Sequence, residues 1–341
     1  MKLTSVSEIQ NSCNVLLRMD LDVPILNGNV TDNSRLKKSL LTIKLLLEKG
    51  CKIVVIGHRG RPKGREEELS LRPIYAELMS LLEQNGYDVI TSMFVNEVEN
   101  REKISDAIET NRIVFMENLR FYEGEKSNDD NFLGAVKEIC QCFVNDAFGV
   151  AHRKEASVML WQKMPTYYGL NFVDEAEKLE RLRQGAQRPL MVILGGAKED
   201  KLNYLQALAT WADKVLVAGK LVTMVKEEDM YNEKVKVGML TESGLDINET
   251  SVRDFKDILQ EAKTVVWVGS LGKFETEEGA RSTAEMARFL AEKEVFWVMA
   301  GGDSVASVSN LGVENAIDLV ISGGGVALEF LTKGTLCAWG D

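Results

Sequence analysis

Three apolar runs in the second half of this 341-residue chain end directly on glycine. Gly195-Gly196-Ala197-Lys198 follows LMVIL, Gly301-Gly302-Asp303-Ser304 follows FWVMA, and Gly323-Gly324-Gly325 follows LVIS. Each glycine cluster then opens a helical pattern. A strand-glycine-helix junction exposes backbone N–H groups and a positive helix end, an arrangement that suits phosphate. One such junction is ordinarily only a tight turn. Three at the carboxyl ends of strands in one domain point to a nucleotide crevice. Lys198 and Lys201 would bring positive charge to phosphates there. Asp303 taken alone reads as a helix cap. Beside phosphates it suffices for magnesium, which commonly takes one or two carboxylates with phosphate oxygens and water. The chain has no GxxxxGK[ST] loop, and no GxGxxG opens the first βα unit of either half.

The first half offers cations instead. Arg18 and Asp20 end one apolar run, Arg35 opens a helical pattern, and His58, Arg59 and Arg61 follow a second run. Arg120 follows a run ending in Glu117, and His152 and Arg153 follow NDAFG. Any one of these is ordinary surface charge. Together they bring guanidinium groups from separate segments to the ends of strands, where ligand sites of α/β proteins form. Arginine matches carboxylate and phosphate with two hydrogen bonds, so the set reads as a site for a small polyanion.

The elements behind these residues alternate along the whole chain. Short β-branched runs at 15–18, 52–58, 112–117, 142–145, 190–194, 214–218, 264–268, 295–300 and 318–321 read as strands. Helical periodicity fills 36–48, 74–83, 131–140, 202–211, 252–261 and 279–292; Leu36, Leu40, Ile43 and Leu47 share one helix face. Such alternation predicts parallel sheets covered on both faces. The expected fold class is α/β, two doubly wound parallel-sheet (Rossmann-like) domains joined by an interdomain helix. That helix is the charged, amphipathic segment 171–187, between a first domain at 1–170 and a second at 188–331.

Composition is that of an ordinary globular chain, with 45% hydrophobic and 27% charged residues. The net charge of -11 argues against nucleic acid as a partner. Residues 1–170 carry 22 Lys and Arg against 24 Asp and Glu, and residues 171–341 carry 19 against 28, so an anion fits the first half better. With no apolar stretch at the start and no run of the ~18 residues that a membrane span needs, neither signal peptide nor membrane is expected. The five cysteines lack metal or redox spacing and predict reduced, mostly buried thiols in a cytoplasm.

Eight ordered motifs bear a closer resemblance. RMDLDVP at 18–24, GHRGRPKG at 57–64, ENLRF at 117–121 and NDAFGVAHR at 145–153 are similar to signatures of the phosphoglycerate kinase family, in that family's order. So are LGGAK at 194–198, VWVGSLGKFE at 266–275, AGGDS at 300–304 and SGGGVALEFL at 322–331, and GLDI at 244–247 also sits where the family has it. The resemblance implies that the first domain binds 3-phosphoglycerate or 1,3-bisphosphoglycerate, the second Mg-ADP or Mg-ATP, and that residues 332–341 return to the first domain. It assigns Asp20, Asp22, Arg35, His58, Arg61, Arg120 and Arg153 to the glycerate. It assigns Gly195, Gly196, Lys198, Lys201, Gly219, Gly269, Glu275, Gly301, Gly302, Asp303, Ser304, Gly323 and Gly324 to the nucleotide, Glu275 at the ribose and Asp303 on Mg²⁺. Arg35, Lys198, Gly302 and Gly325 would surround the phosphoryl group in flight.

An ionised carboxylate acceptor needs no general base, which fits a chain with two histidines and no Ser-His-Asp arrangement. Two sites on separate domains predict closure about the joining helix in a cytoplasmic monomer. Four departures stand out. Asp22 replaces the asparagine of RVDFNVP, Val268 and Ser270 replace asparagine and proline of VWNGP, the Lys198-to-Lys201 spacing is one residue short, and Glu155 replaces the second histidine after NDAFG. The stretch 222–246 is also shorter than is usual. These changes leave two alternatives: a relative that binds nucleotide without turnover, or a kinase for another small carboxylate.

Overall fold

A computed structural model describes residues 3–87, 90–309 and 311–339. The chain divides into two compact units, Met1–Ala176 with Cys337–Asp341, and Glu177–Leu336. The division falls inside a single helix, Leu170–Gly185, and residues 332–336 stay with the second unit.

The first unit is built on strands β1 (Asn14–Met19), β2 (Lys52–Ile56), β3 (Ser92–Val95), β4 (Ile113–Met116), β5 (Cys142–Asp146) and β6 (Thr166–Tyr168). Their order is β3-β4-β2-β1-β5-β6 and every pairing is parallel. Alternate residues of a strand face opposite sides of a sheet, so both faces must be covered. Val15, Leu17, Ile53, Val55, Ile113 and Phe115 bury one face under helices Ser34–Glu48 and Arg72–Glu83. Leu16, Val54, Val114 and Phe143 bury the other under helix Arg101–Thr110 and the turn at Gly134–Ile139. Ile43 has no exposed surface; burying a side chain of that size is worth ~1.5–3 kcal/mol.

Cys337–Trp339 complete this unit. Trp161 Nε1 donates to the Cys337 carbonyl at 2.7 Å and the Tyr168 hydroxyl to that of Ala338 at 3.0 Å. The Trp339 ring meets Phe172 edge-on at 5.7 Å. Gly340 and Asp341, the end of the returning segment, lie outside the described residues.

The second unit carries β7 (Leu190–Leu194), β8 (Lys214–Val217), β9 (Val235–Val237), β10 (Thr264–Val268), β11 (Phe296–Ala300) and β12 (Leu319–Ile321). The order β9-β8-β7-β10-β11-β12, all parallel, is the doubly wound one, with the direction of strand addition reversing between β7 and β10. Trp267 and Trp297 stack at 6.0 Å beneath helices Glu249–Leu259 and Arg281–Ala291.

Besides a two-residue antiparallel hairpin, Ile25–Leu26 with Asn29–Val30, three strands fall outside the sequence assignment: β3, β6 and β9. Each is a sheet edge of three or four residues, half exposed, too short to carry a pattern. The predicted helix at 131–140 begins only at Gly134, because Leu133 is left-handed at φ 61°. The predicted helix at 202–211 divides into a 3₁₀ turn, Glu199–Tyr204, and an α-helix, Leu205–Trp211. All five cysteines are free thiols, three of them buried.

Candidate active site

In the first unit, β1 and β2 end on Met19 and Ile56, and the residues just beyond them collect charge. Asp20 is nearly buried, and the Arg35 Nη1 donates to both of its carboxylate oxygens at 3.0 Å. His58, 2% exposed, lies within the field of Arg120, Arg18, Arg153 and Arg35. Burial first, and those four guanidinium groups second, hold its imidazole well below the ordinary histidine range, so it is neutral at physiological pH. Arg18 is fully buried: Nε donates to Ser157 Oγ at 2.7 Å and Nη2 lies 3.7 Å from Glu125. Its Nη1, like His58 Nδ1, is buried without a hydrogen-bond partner. An arginine N–H left unsatisfied in a cation-rich recess is a donor that an anion would complete.

The structure thus gathers Arg18, Arg35, Arg120 and Arg153 near His58, and leaves Arg61 exposed on the loop after β2. Asp22 is also exposed, but its Oδ1 accepts the Gly60 N–H at 2.9 Å. Glu155 carried no expected role, and Arg18, read from the sequence as one of the polyanion-binding cations, was absent from the residues that the resemblance assigns to the glycerate. The Glu155 Oε1 accepts from Arg120 Nη2 at 2.6 Å and Nε at 3.2 Å. Its Oε2 is 3.4 Å from Arg18 Nη2, and Arg153 Nη1 is 3.9 Å from Oε1.

In the second unit every glycine cluster lies past the carboxyl end of a strand, at and beside the β7/β10 reversal. Lys201 Nζ donates to the Gly195 carbonyl at 2.7 Å. Burial, then the neighbouring Lys198, lowers its ammonium to about 8. Lys198 is exposed, 3.8 Å from Asp303, whose carboxylate is 80% exposed at the head of Gly302–Val308. The short spacing between the two lysines is met by the 3₁₀ turn. Lys198 caps that turn with an extended backbone and Lys201 lies inside it, so the two ammonium groups reach different partners, Asp303 and the Gly195 carbonyl.

The glycines are required by close approach. At Gly269, φ +94°, a Cβ would stand 2.2 Å from the Gly195 carbonyl oxygen and 2.5 Å from Lys201 Nζ. A Cβ on Gly195 would stand 2.3 Å from the Ser270 carbonyl oxygen. Gly219, φ +64°, lies against Gly196. Gly301 lies against Gly324, and a Cβ on Gly324 would be 3.1 Å from Val268 Cγ1. Val268 is therefore buried directly against the Gly324 turn. Ser270 Oγ donates to the Gly272 carbonyl at 2.7 Å, closing by a hydrogen bond a turn where the resembling motif has a proline. The Ser304 hydroxyl accepts from Gly269 N–H and donates to the Ala300 carbonyl, both at 2.6 Å, so this side chain braces two turns together. Gly302, Gly323 and Gly325 remain partly or wholly accessible, and Glu275 is exposed in a loop held by the Lys273 N–H on Leu245.

Among the described residues no group of three or more His, Cys, Asp or Glu stands ready for a metal. The donor set fits magnesium arriving with a nucleotide, because Asp303 is an exposed hard oxygen ligand beside glycine turns and two lysines.

A family profile described as "Phosphoglycerate kinase" matches residues 6–238 and 222–334. The chain belongs to the phosphoglycerate kinase family. The phosphoglycerate kinase of Moorella thermoacetica is 32% identical over 381 aligned positions, covering 97% of this chain and 96% of that relative. The alignment has more positions than the chain has residues, so that family member carries stretches missing here. The two pieces of the profile meet at 222–238, within the stretch expected to be short. The structure of phosphoglycerate kinase from Coxiella burnetii superposes with a TM-score of 0.76 at 25% identity, covering 99% of this chain and 98% of that one. The phosphoglycerate kinase of Pyrococcus horikoshii shares the fold with a TM-score of 0.79, covering 98% and 97%. Among the described residues no helix is long and apolar enough to cross a membrane.

Proposed function

We propose that this chain transfers a phosphoryl group reversibly between 1,3-bisphosphoglycerate and ADP, giving 3-phosphoglycerate and ATP, as a cytoplasmic monomer. Family membership supports the reaction. The observation that carries the site assignment is Lys201, half-buried against the Gly195 carbonyl beside the β7/β10 switch, with Lys198 and Asp303 3.8 Å apart beside it.

The glycerate sits among Arg18, Arg35, His58, Arg120 and Arg153, with Arg61 and Asp22 at its rim. The nucleotide sits over Gly195, Gly196, Gly219, Gly269, Gly301, Gly302, Ser304, Gly323 and Gly324, with Glu275 toward the ribose. A carboxylate with a pKa of ~3.5 is already ionised at neutral pH, so no base is needed. Transfer goes through a loose transition state in which charge collects on the moving group. Arg35, held by Asp20, together with Lys198 and the Gly302 and Gly325 N–H groups, stabilises that charge. Magnesium held by Asp303 and the nucleotide phosphates would neutralise charge on the phosphate chain. Neutral His58 hydrogen-bonds without adding charge.

In-line transfer requires reacting atoms about 3–3.5 Å apart, so the proposal includes closure about the helix at 170–185. Small-angle scattering should show contraction only with both substrates present. A coupled assay with 3-phosphoglycerate and Mg-ATP tests the reaction itself; no turnover at high substrate rejects it. Arg35→Ala should cost about 10³-fold or more in kcat, the range for an arginine that meets transition-state charge. One observation favours a second reading, a kinase for a less highly charged carboxylate: the carboxylate of Glu155 inside the arginine cluster.

A further inference from the structure

Glu155 stands where the acceptor's own negative charge should be welcome. Its side chain is 11% exposed, and three guanidinium groups converge on it. Arg120 spends Nε and Nη2 on Glu155 Oε1, and Nη1 on the Gly60 carbonyl at 2.7 Å. Of the five N–H groups that an arginine owns, three are therefore engaged. The network continues beyond Gly60, whose N–H donates to Asp22 Oδ1 at 2.9 Å. Asp22 and Glu155, the two acids absent from the resembling motifs, are thus the two ends of a single chain of hydrogen bonds.

A phosphate seeks the same N–H groups as Glu155 and carries the same sign. Both cannot hold Arg120 through its paired Nε and Nη2 edge at once. We propose that Glu155 is a built-in anion of the acceptor site: it occupies Arg120, shares Arg18 and Arg153, and yields only when the phosphorylated end of the acceptor displaces it. Glu155 thereby sets how tightly the phosphate of the acceptor is held, while the carboxyl end, near Arg35 and Asp20, lies outside its reach. This rests on the acceptor assignment made above.

The test is titration calorimetry of 3-phosphoglycerate and of D-glycerate, which lacks the phosphate, without nucleotide, on the unaltered chain, Glu155→Gln and Glu155→His. Glutamine keeps the shape and an acceptor oxygen but no charge. Removing one competing charge-assisted hydrogen bond should tighten 3-phosphoglycerate by about tenfold or more in both variants and leave D-glycerate within about twofold. Unchanged or weaker 3-phosphoglycerate binding by folded variants overturns the proposal. So does an equal gain for both ligands, which would mean a merely structural effect. Should the variants fail to fold, the unaltered chain decides: the ¹⁵Nε–H resonance of Arg120 must shift with 3-phosphoglycerate and not with D-glycerate, and a silent resonance overturns the exchange. If 3-phosphoglycerate binds none of the three proteins, the acceptor assignment itself falls.

Discussion

Lys201 is charged or neutral according to what lies beside it. Its ammonium is lowered to about 8 because burial and Lys198 both disfavour the charge. In the absence of ligand, the unfolded chain keeps this proton up to ~10.4. Stability from this group therefore rises as pH increases from about 8 toward that value, since only the unfolded state is then protonated. Phosphate reverses the preference by favouring the ammonium. ADP binding should take up a proton at pH 8–8.5, and affinity should weaken several-fold between pH 7.5 and 9. Calorimetry in buffers of differing ionisation enthalpy measures the uptake. Lys201→Arg, always charged, should abolish it. Zero uptake by the unaltered chain would show that Lys201 is already protonated, or remote from the phosphates.

The glycine turns at the carboxyl ends of the second sheet touch one another through their backbones, and this governs which elements tolerate change. Gly269→Ala drives a Cβ into the Gly195 carbonyl and Lys201 at a left-handed φ. It should destabilise the second unit by about 1–3 kcal/mol and weaken ADP binding more than Gly244→Ala, which meets open space at a similarly positive φ. Melting curves and titrations of both variants check this; equal losses would reject the close-approach account. Much of this element scale was legible in the sequence. Strand-glycine junctions and the helix face of Leu36, Leu40, Ile43 and Leu47 are local patterns, and the structure keeps them. Edge strands β3, β6 and β9 were not legible, whereas the equally short edge strand β12 was, because LVI runs directly into the Ser322 and glycine cluster that marks its end. Nor was the 3₁₀ turn at Glu199–Tyr204, since a missing residue between two lysines does not reveal which winding absorbs it. The role of Glu155 was equally hidden. Its partners Arg18 and Arg120 lie 137 and 35 residues away and meet it only after folding.

At the scale of the molecule, each unit has its own two-faced sheet and its own core. Ligands bound to one should raise that unit's melting transition by mass action and leave the other less affected. Differential scanning calorimetry should show ADP moving one transition and 3-phosphoglycerate the other, and Gly269→Ala should lower the transition that ADP raises. A single transition shifted alike by both ligands would mean that the units melt together.

The return of Cys337–Trp339 also dictates an order of assembly. Unit one closes its Phe148, Phe172 and Trp339 ring cluster only by recovering a segment that follows Glu177–Leu336 in the chain. Bridging so long a flexible excursion is entropically dear. Within the second unit, however, Gly334 already lies against the Arg183 guanidinium. Once that unit has formed, the excursion shrinks to a few residues on either side, roughly four halvings of its length, worth ~2.4 kcal/mol at ~0.6 kcal/mol each. The rear half of the polypeptide thus acts as a scaffold for finishing the front half, and in refolding the Trp339 environment should mature after the tryptophan pair of the second sheet.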